Sequence, residues 1–451
     1  VIRGVFPFLL LAAALAGPPA HAQGVWHLEK CLDARFMGFE LAIDYCTRAI
    51  KSGELTNRGL GTAYYNRGRL YSFQGRYDLA LPDINETVRL DALGPEPDDL
   101  RAATFHLRGS IQTALRNFDS ALADFDQSIQ LYPRNAAPYL GRGNAWLVKR
   151  DAERAIADFN RALKADVSDK TSVEAGAGSA YARRPRNFDR TNNDSAAYLG
   201  RGRAYLLKDD RAAALVEFGE AIRVNPASVQ ALKSRAALRE QLGDYESAIV
   251  DYSAALRIDP RDPPSYFQRG LAWASKGEYA NSALDFDEAL RLGPRHHAAR
   301  FLRAVLALGE GRYEQASNQF GDVMKNSQPQ AALTLWRHVA RARSGPDTRL
   351  REDARDELRR DSVKLTERSI HAQLVGFYLG RTDDTALRKP GRSTSDACAA
   401  DYFLAQHAFI AGDTARGAEL LSTVARECPA TAQETWAARL ELQRVEKGAA
   451  R

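Results

Sequence analysis

An arginine followed by a glycine or alanine recurs along the chain at a fixed interval. The pairs are Arg67-Gly68, Arg108-Gly109, Arg142-Gly143, Arg201-Gly202, Arg235-Ala236, Arg269-Gly270 and Arg303-Ala304. Within uninterrupted runs the interval is 34 residues. Each pair introduces the same grammar. After Gly270 come Trp273, Gly277, Tyr279, Phe286, Ala289 and Pro294; after Gly109 come Phe118, Ala121, Phe125 and Pro133; after Gly143 come Trp146, Ala155, Phe159 and Ala162. A period of this length means that one supersecondary unit is copied, and that each copy buries its apolar stripe only by stacking on the next.

This pattern resembles the tetratricopeptide repeat family over most of the chain. The resemblance implies an all-α, TPR-type α-solenoid, a right-handed superhelix of stacked antiparallel helix pairs. It implies that the small residue (Gly68, Gly109, Gly143, Gly202, Gly270) lets the first helix approach the second. The alanine twelve residues later (Ala80, Ala121, Ala155, Ala214, Ala248, Ala316; Ser282 in one copy) faces it. The prolines Pro133, Pro226, Pro260 and Pro294 end second helices. The register divides the chain into a divergent pair at 23–56, repeats over 61–169, a Gly/Ala-containing basic insert of loop composition at 170–194, and repeats over 195–330. Divergent helical repeats at 331–397 follow, then a final repeat with a capping helix at 398–451, the cap spanning 432–447. Leu335-Trp336-Arg337, Gly376-Phe377-Tyr378-Leu379-Gly380 and Tyr402-Phe403-Leu404-Ala405-Gln406 resemble the tail of NlpI-type bacterial periplasmic proteins. Those scaffold proteases and cell-wall enzymes; this chain lacks their lipid-attachment cysteine.

Residues 1–22 read as a secretory leader. Arg3 precedes an apolar run from Val5 to Ala16, Gly17-Pro18-Pro19 breaks it, and Ala20-His21-Ala22 fits cleavage after Ala22. A periplasmic or secreted location follows as an expectation, and the apolar run is too short to span a bilayer. The four cysteines then suggest two disulfides, for which three connectivities exist. In an antiparallel hairpin, residues equidistant from the turn face each other, so the expected bridges are Cys31–Cys46 and Cys398–Cys428.

An acid lies 16 residues after all but one of the repeated arginines: Asp83, Asp124, Asp158, Glu217, Asp251 and Asp285; Arg303 meets Gln319 instead. A constant offset predicts an ion-pair ladder that fixes stacking, not a free basic stripe, and the guanidinium fork suits bidentate pairing. The net charge of +6 falls short of a nucleic-acid footprint. His296-His297 lacks ligand spacing and is expected on the surface. No set of nucleophile, base and orienting group is legible, so no enzyme activity, cofactor or metal is expected.

In this fold the first helices line a groove. The residues expected there are Tyr65, Asn66, Arg69, Phe73, Leu140, Asn144, Leu147, Leu199, Arg203, Leu206, Lys233, Phe267, Leu271, Phe301 and Val305, unless they touch only neighbouring repeats. Their mixture suits an extended peptide or an amphipathic helix of a protein partner. The function expected is a scaffold or adaptor, in envelope or cell-wall enzyme assembly. The alternatives are a regulatory subunit or enzyme with a site in 331–397, and a binder of acidic cell-wall polymer. The basic stretch 181–190 is either a contact arm or a solvated insert. Oligomeric state is not legible.

Overall fold

The computed structural model describes residues 23–33, 38–94, 97–165, 186–325, 328, 330–345, 347–365, 369–387 and 391–449. The leader, most of the 170–194 insert and the turn expected at Met37 lie outside them. The described residues form 22 helices and no strand, and the chain divides into two compact units between Ala231 and Leu232.

The N-terminal unit is a series of hairpins: α1 (Gln23–Leu32) with α2 (Phe39–Lys51), α3 (Asn57–Phe73) with α4 (Tyr77–Asp91), α5 (Asp98–Ala114) with α6 (Phe118–Leu131), α7 (Ala136–Val148) with α8 (Ala152–Ala165), and α9 (Arg186–Leu207) with α10 (Arg211–Val224). The expected facing alanines Ala80, Ala121, Ala155 and Ala214 are fully buried. The ring of Phe125 shows why small residues recur. A methyl group built on Gly109 of its own hairpin would lie 2.9 Å from it, and one on Gly141 of the next hairpin 2.6 Å. The ring is wedged between two first helices, and any larger side chain would push them apart.

One boundary differs from expectation. Helix α9 begins at Arg186, inside the segment read as loop. No glycine or proline falls between Arg186 and Leu199. Arg190 and Asp194 pair at i,i+4, and Asn192 accepts a hydrogen bond from Asn225 at 3.0 Å. The added turns are thus held to the start of the next loop.

In the C-terminal unit, α11 (Val229–Gln241, from Leu232 on) and α12 (Tyr245–Ile258), α13 (Pro263–Lys276) and α14 (Tyr279–Leu292), and α15 (His297–Gly309) and α16 (Tyr313–Met324) continue the hairpins. Then come α17 (Ala331–Ala342), α18 (Thr348–Ser362), α19 (Ile370–Tyr378), α20 (Thr394–Ala411), α21 (Thr414–Glu427) and α22 (Gln433–Ala449). Gly277 and Gly412 end α13 and α20 in the left-handed conformation, at φ 92° and 91°, which favours glycine. The divergent helices close a core around Trp336, whose ring centroid lies 4.9 Å from that of Tyr402, 5.1 Å from Phe403 and 6.0 Å from Phe320. Both disulfides join the predicted partners, Cys31–Cys46 within the first hairpin and Cys398–Cys428 within α20–α21.

The C-terminal helix α22 does more than cap α21. It also packs on α15. Trp436 joins the cluster of Ala274, Tyr279, Phe286, Leu302 and Leu306, and Gly309 abuts Ala437 and Leu440. Glu441, fully buried, is held by Arg343, by Gln406 Nε2 at 2.9 Å and by Arg444 at 3.3 Å. The Arg343 guanidinium in turn lies 4.7 Å from the ring centroids of both Tyr313 and Phe409. A carboxylate enclosed this way needs every one of those donors, because an unpaired buried charge is costly.

Candidate functional site

The repeated arginines form the ladder that their spacing predicts. Arg67 donates to Asp83 at 2.7 and 2.8 Å, and Arg108–Asp124, Arg142–Asp158, Arg235–Asp251 and Arg269–Asp285 repeat the two-point grip. Arg201 meets one oxygen of Glu217 at 2.7 Å. In four of these arginines the remaining nitrogen reaches the preceding hairpin at an equivalent position. Arg108 finds Asn85, Arg142 finds Asp126, Arg201 finds Asn160 and Arg269 finds Ser253. Each of those residues sits two positions after the ladder acid of the preceding repeat. Arg303, which lacks its own acid, pairs only backward, with Asp287 at 2.9 Å. Hydrogen bonding to Asp83 is the main cause that raises the pKa of Arg67, as Asp285 does for Arg269. Burial, only partly offset by Arg269, raises that of Asp285. These cations are occupied in holding hairpins together.

The predicted groove residues separate into three groups. Tyr65, Asn66 and Val305 are buried and do not line an open surface. Tyr65 belongs to the cluster of Ala80, Ile84 and Ile111. Asn66 donates to the Thr62 carbonyl at 2.8 Å and accepts from Arg69 at 3.1 Å. Val305 lies in the core that forms around Trp336. In a second group the side chains are half-buried against neighbours. Leu140 and Leu147 pack on the Phe159 cluster. Phe267, Leu271 and Phe301 pack on the cluster that contains Trp436, and Leu199 is half-buried. Lys233 is 2.6 Å from Asp262; burial opposes ionisation of that carboxyl, but hydrogen bonds from Lys233 and Ser265 outweigh it and lower its pKa. Arg69 lies 5.9 Å from the Phe73 ring centroid. Only Phe73, Asn144, Arg203 and Leu206 are exposed, Phe73 by 63%. His296 is not a free surface residue either. It caps α15 by accepting from Ala299 N at 3.2 Å, and its ring lies tilted against that of Phe267, with centroids 4.6 Å apart.

Of one repeated position, sequence reasoning named Phe73 and missed the rest. Five residues after the small residue of a first helix, Phe73, Val148 and Leu207 are large, apolar and exposed in three hairpins of the N-terminal unit, with Ala114 at the position in the fourth. The same position in the C-terminal unit is Gln241, exposed but polar, Ser275, buried, and Gly309, which lies under α22. The signal was in the sequence, as a large apolar residue at three of four N-terminal copies and a polar or small one at all three C-terminal copies. The occupant of the C-terminal face is the chain's own helix.

Family models for the tetratricopeptide repeat match residues 61–92, 106–169 and 267–332, and a further TPR repeat model matches 238–277. These segments are tetratricopeptide repeats. Human tetratricopeptide repeat protein 13 is 32% identical over 110 residues, which is 23% of this chain and 12% of that protein, so the chain spans only a small part of this relative. Among solved structures, YrrB, described as a TPR protein with an unusual peptide-binding site, is similar at 19% identity, covering 46% of this chain and 94% of that one at a TM-score of 0.33. The pilF protein of Pseudomonas aeruginosa is similar at 15% identity, covering 53% and 94% at a TM-score of 0.40. PilW, a type IV pilus biogenesis factor, is similar at 14% identity, covering 52% and 94% at a TM-score of 0.42. Among the described residues no helix is long and apolar enough to cross a membrane.

Proposed function

We propose that this protein is a non-catalytic scaffold that holds a helical segment of a partner protein on the first-helix face of its N-terminal unit. The observation that carries the reading is the exposed apolar set Phe73, Val148 and Leu207, which shares one register position in three of the four regular hairpins of that unit. The fate of the equivalent face in the C-terminal unit supports it. There α22 lies against α15 with Trp436 and Leu440 four residues apart on one side of the helix. That is the i,i+4 anchor pattern of an amphipathic helix laid in a groove. The N-terminal face has no such helix of the chain upon it among the described residues, and an apolar row of this kind is the usual mark of a protein-binding surface. Arg203 beside the row favours a segment with at least one acidic residue.

The scaffold works outside the cytoplasm, in the periplasm, on this reading. The leader-like residues 1–22, the two disulfides and the NlpI-type likeness of the C-terminal third support that placement. Assembly of envelope or cell-wall enzymes is the process in which it would take part.

Affinity capture from a periplasmic extract, followed by mass spectrometry, tests the assignment. Specific proteins are expected with the native chain and not with the double variant Phe73→Ala, Leu207→Glu. Both positions are exposed, so helix content and unfolding should stay unchanged. Capture that persists in the double variant would show that the face has been misassigned.

A further inference from the structure

A second site lies away from the first-helix face. A cleft of about 300 Å³ opens between the end of α16, the start of α17 and the end of α18, lined by Gly321, Met324, Lys325, Thr334, Arg337 and Lys364, among others. That volume is at the lower end of small-molecule sites. Two polar groups in its wall have no partner. Thr334 is 3% exposed and its hydroxyl is unpaired; Arg337 Nε is buried and unpaired. They are three residues apart on α17 and so share one face.

The surrounding charges define what would satisfy them. Arg337 meets Glu357 and Asp361 only loosely, at 3.5 and 3.8 Å. Glu357 makes its closer pair with Arg341, at 2.9 Å. Lys325 pairs with Asp322 at 2.9 Å, and Lys364 adds a further cation to the lining. Lys325, Arg337, Arg341 and Lys364 against Asp322, Glu357 and Asp361 leave one positive charge in excess. The start of α17 points its positive dipole end toward the same opening. Gly321 supplies the space: a methyl group there would stand 3.5 Å from Arg337 Nε. Met324 provides the apolar wall. We infer that this cleft binds a monocarboxylate with a short apolar tail, the carboxylate accepting from Arg337 Nε and Thr334 Oγ while the tail lies along Met324.

The test is saturation-transfer NMR on the full chain with butanoate, butanamide, and acetylated trialanine bearing a free or an amidated C-terminus. Butanoate should bind and butanamide should not. Competition by the free-acid peptide but not by its amide would assign the carboxylate to a chain terminus. No competition by either would assign it to a small molecule, and either result supports the site. Thr334→Val should weaken butanoate binding about tenfold, the factor for one lost charge-assisted hydrogen bond. Arg337→Gln should abolish it. Gly321→Ala adds a methyl group at ordinary contact distance, so it should fold normally yet shield Nε and weaken binding. Butanoate that fails to bind the native chain, or that binds Thr334→Val and Gly321→Ala undiminished, would overturn the inference.

Discussion

Arg269 grips Asp285, sixteen residues later, with hydrogen bonds of 2.8 and 2.6 Å from Nε and Nη2, and uses Nη1 to reach Ser253 of the preceding hairpin. The pair is mostly buried, with 21% of the arginine and 7% of the aspartate side chain exposed. Removing one partner should therefore be costly. Asp285→Ala is expected to lower the stability of the C-terminal unit by about 3 kcal/mol, read by urea denaturation. The double variant Arg269→Met, Asp285→Leu should lose much less, because it removes the desolvation cost along with the attraction. A double variant as damaged as the single would mean that the arginine acts through Ser253 instead.

The forward half of this ladder was legible because each repeat carries its own acid at a constant offset. The backward half was not. Its acceptors are Asn85, Asp126, Asn160, Ser253 and Asp287, which share a position but not a chemical type. The hairpins and both disulfides were legible for the same local reason, since each depends on residues within one repeat. The covered groove was not, because Tyr313 and Arg444, hydrogen-bonded at 3.0 Å, are 131 residues apart. Nothing in the repeat grammar says that the last helix returns to α15. The start of α9 was hidden by composition, as Gly- and Arg-rich sequence just before it has the character of a loop.

The Phe125 wedge predicts an intolerance of small additions. Gly141→Ala would place a methyl group 2.6 Å from two atoms of the ring. The ring is fully buried and has Gly109 behind it, so it has no space to retreat into. A loss of about 1–3 kcal/mol in the N-terminal unit is expected, the usual range for overpacking. The partner variant Gly141→Ala, Phe125→Leu should recover part of it. Calorimetry that resolves the two units would show the C-terminal transition unmoved.

The tight turn within a hairpin carries a left-handed residue at a repeated position. Gly75, Gly243, Gly277 and Gly311 fill it in some copies, but Arg116, Arg150 and Asp209 fill it in others, at φ 65°, 60° and 57°. A residue with a side chain pays roughly 1–2 kcal/mol for that conformation, part of which glycine returns through its greater freedom in the unfolded chain. Arg150 is exposed. Arg150→Gly should therefore stabilise the N-terminal unit by about 0.5–1 kcal/mol in chemical denaturation. A destabilised variant would show that the arginine side chain makes a contact worth more than the strain.

Acid should weaken both units through one half-buried and one buried histidine. Burial alone lowers His106 in the N-terminal unit from 6.5 to about 4. Burial is also the main cause in His338 of the C-terminal unit, likewise lowered to about 4, only partly offset by its hydrogen bond to the Ala354 carbonyl. A depressed folded-state pKa means that the unfolded chain takes up the proton first. The stability each neutral imidazole contributes is complete above pH 6.5 and is lost as the pH falls toward 4. Each pKa unit corresponds to about 1.4 kcal/mol, so the loss approaches 3 kcal/mol per histidine at the acid end. The His106 ring lies tilted against that of Phe125, with centroids 6.0 Å apart, so His106→Phe keeps an aromatic contact while removing the titration. Its N-terminal unit should show a flatter fall in Tm between pH 6.5 and 4 than the native chain, with the C-terminal unit falling as before. An unchanged slope in the N-terminal transition would show that carboxylates, not this imidazole, govern its response to acid.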